Sequence, residues 1–167
     1  EGLPAGTPVV RVMPNTPAQV DEGMAAISGG KNATPEHLDR VTAIMSAVGK
    51  AVTVPEKYQD AVTAISGSGP AYLFFVVEAM IDAGVMLGLP RDVSTLLVSQ
   101  TMYGSAKLLV ESGEHPTVLR ERVTSPGGTT AAALRELEVH RVKAAFISAM
   151  EAARDRSAHL ARPAKEK

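Results

Sequence analysis

Ser125, Thr129 and Thr130 bracket a Pro126-Gly127-Gly128 turn, and the strong helix formers Ala131-Ala132-Ala133-Leu134-Arg135-Glu136-Leu137 follow at once. That order describes a helix N-terminus left open to a ligand. The first-turn N–H groups of a helix have no intrahelical partner and together carry about half a positive charge. Glycines remove the side chains that would cover these donors, so a carboxylate or phosphate can lie against them. The Thr130 hydroxyl adds a neutral hydrogen-bonding group beside the anion. A stiff turn before an ordinary capped helix is the competing reading, and this stretch alone leaves both open.

Other candidates carry less chemistry. Gly67-Ser68-Gly69-Pro70-Ala71-Tyr72 begins like the dinucleotide fingerprint G-x-G-x-x-G, but Tyr72 stands where the third glycine belongs and no strand–helix–strand unit surrounds it. Ser68 is not a hydrolase nucleophile either, because Ser66 occupies a position that requires glycine. The stretch reads as a tight helix start, with Ser68 able to cap and Pro70 near the first turn; contact with a bound ligand is the alternative. Pro14-Asn15-Thr16-Pro17 sits at the carboxyl end of an expected strand, where open α/β sheets bind ligands. Asn15 offers a donor and an acceptor there, and a purely structural turn is the other reading. Glu56 falls at the junction between two compositionally different parts, facing either a cationic substrate nitrogen or solvent. His37, His115, His140 and His159 are too scattered for a metal pair, so no metal site is expected.

The elements that must position these residues differ along the chain. Val9-Val10-Arg11-Val12-Met13 and Gly23-Met24-Ala25-Ala26-Ile27-Ser28 read as strands. A helix follows over Pro35 to Val48, with Thr34 as N-cap and Leu38, Val41, Ile44, Met45 and Val48 as its stripe. Gly49 ends that helix, and Ala51 to Val54 makes a third strand, so the first third is α/β. From Glu56 the pattern is helical. A short helix over Asp60 to Ile65 is expected to break at Ser66-Gly67-Ser68-Gly69, before a long apolar one from Pro70 to Leu87. Further helices are expected over Arg91 to Glu111, Pro116 to Val123, Thr130 to Glu138 and His140 to Leu160. In the second of the long helices, Val93, Leu96, Tyr103, Ala106 and Val110 line one side.

At 167 residues and 45% hydrophobic, the chain can bury a core of one domain or a domain plus a fragment. A net charge of −1 with both signs dispersed gives nucleic acid nothing to bind. The lack of cysteine excludes disulfides and thiol chemistry and favours the cytoplasm. Glu1-Gly2-Leu3-Pro4 lacks the features of a signal peptide. Ala71 to Leu89 resembles a membrane span, but Glu78 and Asp82 lie near its centre, and a central acidic residue costs roughly 2.5–3.5 kcal/mol on insertion. No membrane is expected. A helix apolar nearly all round is covered on most sides, and a second subunit supplies that cover most readily, which points to a homodimer with intertwined helices.

Four stretches together resemble the pyrroline-5-carboxylate reductase family: Val10 to Pro17, Ala61 to Tyr72, Gly88-Leu89-Pro90-Arg91, and Val123 to Thr130. They stand in that family's order and spacing across nearly the whole chain. The resemblance implies an α/β remnant plus an all-α part: residues 1–55 as the end of a Rossmann-like dinucleotide-binding domain, 56–161 as a helical dimerisation and substrate-binding domain, and 162–167 as a solvated tail. The family's glycine-rich fingerprint is absent here, so on the order of 100 residues of dinucleotide-binding fold are expected upstream.

The implied reaction passes hydride from NADPH or NADH to the C=N carbon of Δ1-pyrroline-5-carboxylate, giving L-proline. The implied substrate contacts are Ser125, Gly127, Gly128, Thr129 and Thr130, with the Thr130 hydroxyl at the ring nitrogen as the catalytic contact and Glu56 near the same cationic group. On the cofactor side stand Asn15 and Arg122. Some relatives carry an asparagine at the latter position, and an arginine reaches a phosphate without reproducing an amide's pairing. The resemblance also implies a homodimer, which relatives build further into decamers. The 167-residue chain alone is expected to be inactive. Two rivals remain at this point: the helical domain of a β-hydroxyacid-type dehydrogenase, which would need a lysine-centred helix motif not seen here, and a non-enzymatic helical oligomerisation module.

Overall fold

The computed structural model describes residues 3–161; the tail expected over 162–167 lies outside them. The chain divides into two compact units. One runs through Tyr72 and resumes at Ile147, and the other is Leu73–Phe146. Compactness thus places residues 56–72 with the strands, beyond the point where composition changes.

In the first unit, β1 (Val10–Met13), β2 (Gly23–Gly29) and β3 (Gly49–Thr53) form a sheet in that order. β1 runs antiparallel to β2 with Val12 opposite Ile27, and β2 runs parallel to β3 with Ile27 opposite Thr53. The parallel pair needs a crossover, which α1 (Pro35–Met45) supplies. Thr34 opens α1: its N–H donates to His37 Nδ1 at 3.1 Å, and Pro35 occupies the first position, where no N–H is needed. The expected helix to Val48 ends sooner, because Ser46–Val48 tightens into a 3-10 turn before β3. Ala25, Ala26 and Ile27 of β2 are buried and form the centre of this unit. The central strand accordingly reads as an unbroken run of small and apolar residues rather than an alternation.

The expected break at Ser66-Gly67-Ser68-Gly69 is narrowed to Ser68 alone. A 3-10 turn (Glu56–Tyr58), α2 (Gln59–Val62) and a π-turn (Thr63–Gly67) follow one another directly, and α3 (Gly69–Met86) starts one residue later. Ser68 does not cap; it is right-handed helical (φ −85°, ψ −15°), and its N–H reaches the Thr63 carbonyl at 2.8 Å. Pro70 accounts for the arrangement. It has no N–H to give the Ser66 carbonyl, which would be its α-helical acceptor. That carbonyl accepts instead from Asn15 Nδ2 at 3.2 Å. At the far end of the chain, Ser157 Oγ in α7 (Val142–Leu160) donates to Asp60 Oδ1 at 2.7 Å. By length and composition, the helical run Glu56–Met86 could cross a membrane.

The second unit contains most of α3 together with α4 (Arg91–Ser112), α5 (Pro116–Arg122), α6 (Thr129–Val139) and the start of α7. The α3–α4 hairpin is close because Gly84 has no side chain: a Cβ there would collide with Ser94 Oγ, which donates to the Ile81 carbonyl at 2.9 Å. Gly113 (φ +63°) ends α4 in the left-handed conformation. α7 starts at Val142 rather than His140, since Arg141 (φ +55°) leaves the helical region.

Little of this unit is covered. In α4 only Ser94 and Val98 are buried, and the expected stripe lies open: Leu96 is 70% exposed and Tyr103 62%. Phe74 and Phe75 of α3 are 67% and 72% exposed. Periodicity finds an apolar face correctly but not the surface that covers it.

Candidate functional site: an open helix start

The turn before α6 is built from local contacts. Gly128 N–H donates to the Ser125 carbonyl at 3.0 Å, and Gly127 sits at φ +68°, where an L side chain is strained. A Cβ on Gly128 would meet Ser125 Oγ and lie 3.2 Å from the Ser125 carbonyl oxygen. Gly128 is the extended N-cap residue (φ −80°, ψ 175°), and its carbonyl accepts from Ala132 at 3.2 Å. The N–H groups of Thr129, Thr130 and Ala131 precede that first intrahelical bond, and no side chain caps the helix. Three backbone donors and the half-buried Thr130 thus occupy one turn, the geometry that receives a small anion.

Arg122 ends α5, immediately before this stretch. Its Nη2 donates to Glu114 Oε1 at 2.9 Å, and its Nη1 lies 2.6 Å from Glu114 Oε2. Only the first of these is a hydrogen bond; Glu114 Oε2 is buried without one.

In the first unit, Asn15 and Glu56 stand apart. Asn15 follows β1 and Glu56 follows β3; with β1 antiparallel to β2 and β3 parallel to it, the two residues lie at opposite ends of the sheet. Asn15 Oδ1 accepts from Met24 N–H at 2.8 Å while its Nδ2 holds Ser66, so the side chain ties the turn after β1 to β2 and the π-turn. Glu56 Oε1 pairs with Arg11 Nη1 at 2.5 Å, with both side chains about half exposed.

No motif singles out Gln59 and Ser28, which are both 1% exposed. A serine closing an apolar strand was their one visible signal. Among the described residues, no group of three or more His, Cys, Asp or Glu side chains could hold a metal ion.

The end of a Rossmann-like sheet followed by helices whose apolar faces are open defines a protein with a helical dimerisation domain. Residues 56–160 match the family model described as pyrroline-5-carboxylate reductase dimerisation, and the chain belongs to that family. A pyrroline-5-carboxylate reductase of Mycobacterium tuberculosis (strain H37Rv) is 51% identical over 175 residues, covering 95% of this chain and 59% of the relative. That of Methanosarcina acetivorans is 49% identical over 160 residues, covering 96% and 59%. Among solved structures, a pyrroline-5-carboxylate reductase from Coxiella burnetii superimposes with a TM-score of 0.90 at 36% identity, over 95% of this chain and 59% of that one. Plasmodium falciparum pyrroline carboxylate reductase with NADP bound gives 0.87 at 39% identity, over 92% and 62%. The chain therefore spans about three-fifths of the length of the curated relatives it matches.

Proposed function

We propose that this chain is the substrate-binding and dimer-forming part of a pyrroline-5-carboxylate reductase, which reduces the C=N bond of Δ1-pyrroline-5-carboxylate to L-proline with NADPH or NADH. The observation that carries this reading is the uncapped start of α6 in a chain of this family. The substrate carboxylate lies against the N–H groups of Thr129, Thr130 and Ala131, and hydrogen bonds to a charged group contribute about 1.5–3 kcal/mol each. Gly127 and Gly128 keep the approach clear, and Ser125 closes the turn behind them. The Thr130 hydroxyl, on the same turn, takes the ring nitrogen. The protonated imine is already an electrophile, so the protein's task is orientation and charge complementarity.

The nicotinamide cofactor is supported by the Plasmodium relative, solved with NADP bound. Asn15 hydrogen-bonds Ser66 and Met24 in this chain, and Arg122 hydrogen-bonds Glu114. No step at the cofactor is assigned to them. Glu56, placed by the family resemblance near the substrate's cationic group, pairs with Arg11 in this chain. The open faces of α3 and α4 are covered by a second copy of the chain, a reading supported by the family's description and by the exposure of Phe74, Phe75 and Leu96. We assign α3 to a protein partner rather than to lipid because Glu78 and Asp82 interrupt it near its middle. A chain without cysteine suits the reducing cytoplasm.

The test is Thr130→Ala in the protein that carries this chain with a dinucleotide-binding half. Loss of one such contact lowers kcat/KM for the cyclic imine by about 10- to 100-fold. Unchanged kinetics would remove Thr130 from the mechanism.

A further inference from the structure

We propose that Glu114 and Arg122 are positioning residues for the Ser125–Thr130 turn, closing α5 on itself so that the turn departs from a fixed point. The inference rests on the substrate site proposed at that turn. It gives Arg122 a role other than the cofactor contact its position first invites.

α5 has seven residues, too few to hold a helix by its own hydrogen bonds. Glu114 precedes it and Arg122 ends it, and the pair is joined by one hydrogen bond, Nη2 to Oε1 at 2.9 Å, with Nη1 in ionic contact with Oε2 at 2.6 Å; Oε2 accepts no hydrogen bond. A charge-assisted hydrogen bond of this kind is directional, and it ties the two ends of α5 together. The Glu114 side chain is 33% exposed, against 61% for Arg122, so the carboxylate end is less screened than in the open pairs elsewhere on the chain.

Local bonds carry the constraint toward the turn. His115 Nδ1 accepts from Thr117 N–H at 3.2 Å at the start of α5. At its end, Thr124 N–H donates to the Glu121 carbonyl at 3.0 Å and Thr124 Oγ1 to the Arg120 carbonyl at 2.6 Å. One residue later, the Ser125 carbonyl accepts from Gly128. Among the described residues, the hydrogen bonds from Val123 to Gly128 are all of this short-range kind. The direction of α5 is therefore what the turn inherits, and the Glu114–Arg122 ion pair is what holds α5.

The experiment pairs amide hydrogen exchange on this chain with kinetics of the protein carrying a dinucleotide-binding half. The variants are Glu114→Gln, Arg122→Gln and the double reversal Glu114→Arg with Arg122→Glu. Either single change should speed exchange at the bonded amides of Val123, Thr124 and Gly128 by roughly three- to fivefold, and the reversal should bring it back to within about twofold of the parent. KM for the cyclic imine should rise in the singles and recover in the reversal, with KM for NADPH unmoved throughout. Singles that leave exchange unchanged overturn the proposal. So does a reversal that fails to restore exchange while KM for NADPH rises, because Arg122 would then be the cofactor contact. Exchange that follows the predicted pattern while imine kinetics stay flat upholds the positioning of the turn and defeats the substrate site assigned to it.

Discussion

Gln59 Nε2 donates to Ser28 Oγ at 2.6 Å inside the first unit, and the Ser28 hydroxyl in turn donates to the Val54 carbonyl at 2.8 Å. The chain of bonds joins α2 to the end of β2 and to the residue that follows β3. Gln59 Oε1 is buried without a partner, so the amide is only half satisfied. Ser28→Ala would leave the Nε2 donor unpaired as well, at a cost of about 1–3 kcal/mol. Adding Gln59→Leu should recover most of that loss, because both polar groups are then gone. Urea unfolding of the single and double variants measures the difference.

Gly127→Ala tests the backbone of the turn. The added methyl meets no neighbour, so the whole effect comes from φ +68°. A cost of about 1 kcal/mol is expected, from the left-handed conformation alone. Thermal unfolding gives that cost, and KM for the cyclic imine should rise with it as the turn relaxes.

Charge placed on the open apolar face should prevent self-association. Phe75→Glu and Leu96→Glu alter side chains that are 72% and 70% exposed, so neither disturbs a core of the isolated chain. Sedimentation should show a parent dimer and variant monomers with unchanged helical content. Dimers that persist in both variants would place the interface elsewhere.

Glu138 provides a pH-dependent contact at the end of α6. A hydrogen bond from Lys143, and then its charge, hold the Glu138 carboxyl below the ordinary carboxylate value of 4.5. A carboxyl lowered by folding stabilises above its unfolded pKa, and that contribution is lost as pH falls through the folded one. Lys143→Met should therefore move the Glu138 titration, followed by carboxyl carbon NMR, back up toward the ordinary value. The same midpoint in both proteins would remove the ion pair from solution.

The 167-residue chain by itself, supplied with NADPH and the cyclic imine, is expected to form no proline. No glycine fingerprint follows a strand in this chain. Proline detected by mass spectrometry from this chain alone would defeat that expectation.

Much of the secondary structure was legible because its signals are local. Thr34-Pro35 opened α1, Gly113 closed α4, and Gly127-Gly128 marked the start of α6. Where the reading failed, a distant partner decided the outcome. Ser66-Gly67-Ser68-Gly69 has every mark of a break, yet Asn15, fifty-one positions away, takes the carbonyl that Pro70 leaves free, and the interruption shrinks to Ser68. Gln59 and Ser28 gave no motif at all, since burial of a polar pair shows only once the sheet and α2 have met.

The sequence alone determined the open helix start before Thr129 and the apolar faces of α3 and α4. Both follow from glycine conformation and residue spacing within a few turns. Tertiary structure decided which polar groups remain available. It gave Arg122 to Glu114, Glu56 to Arg11 and Asn15 to Ser66 and Met24, while leaving the donors of Thr129, Thr130 and Ala131 unpaired. A charged or amide side chain carries the same chemistry wherever it stands in the sequence. Its function depends on whether a fold partner reaches it first.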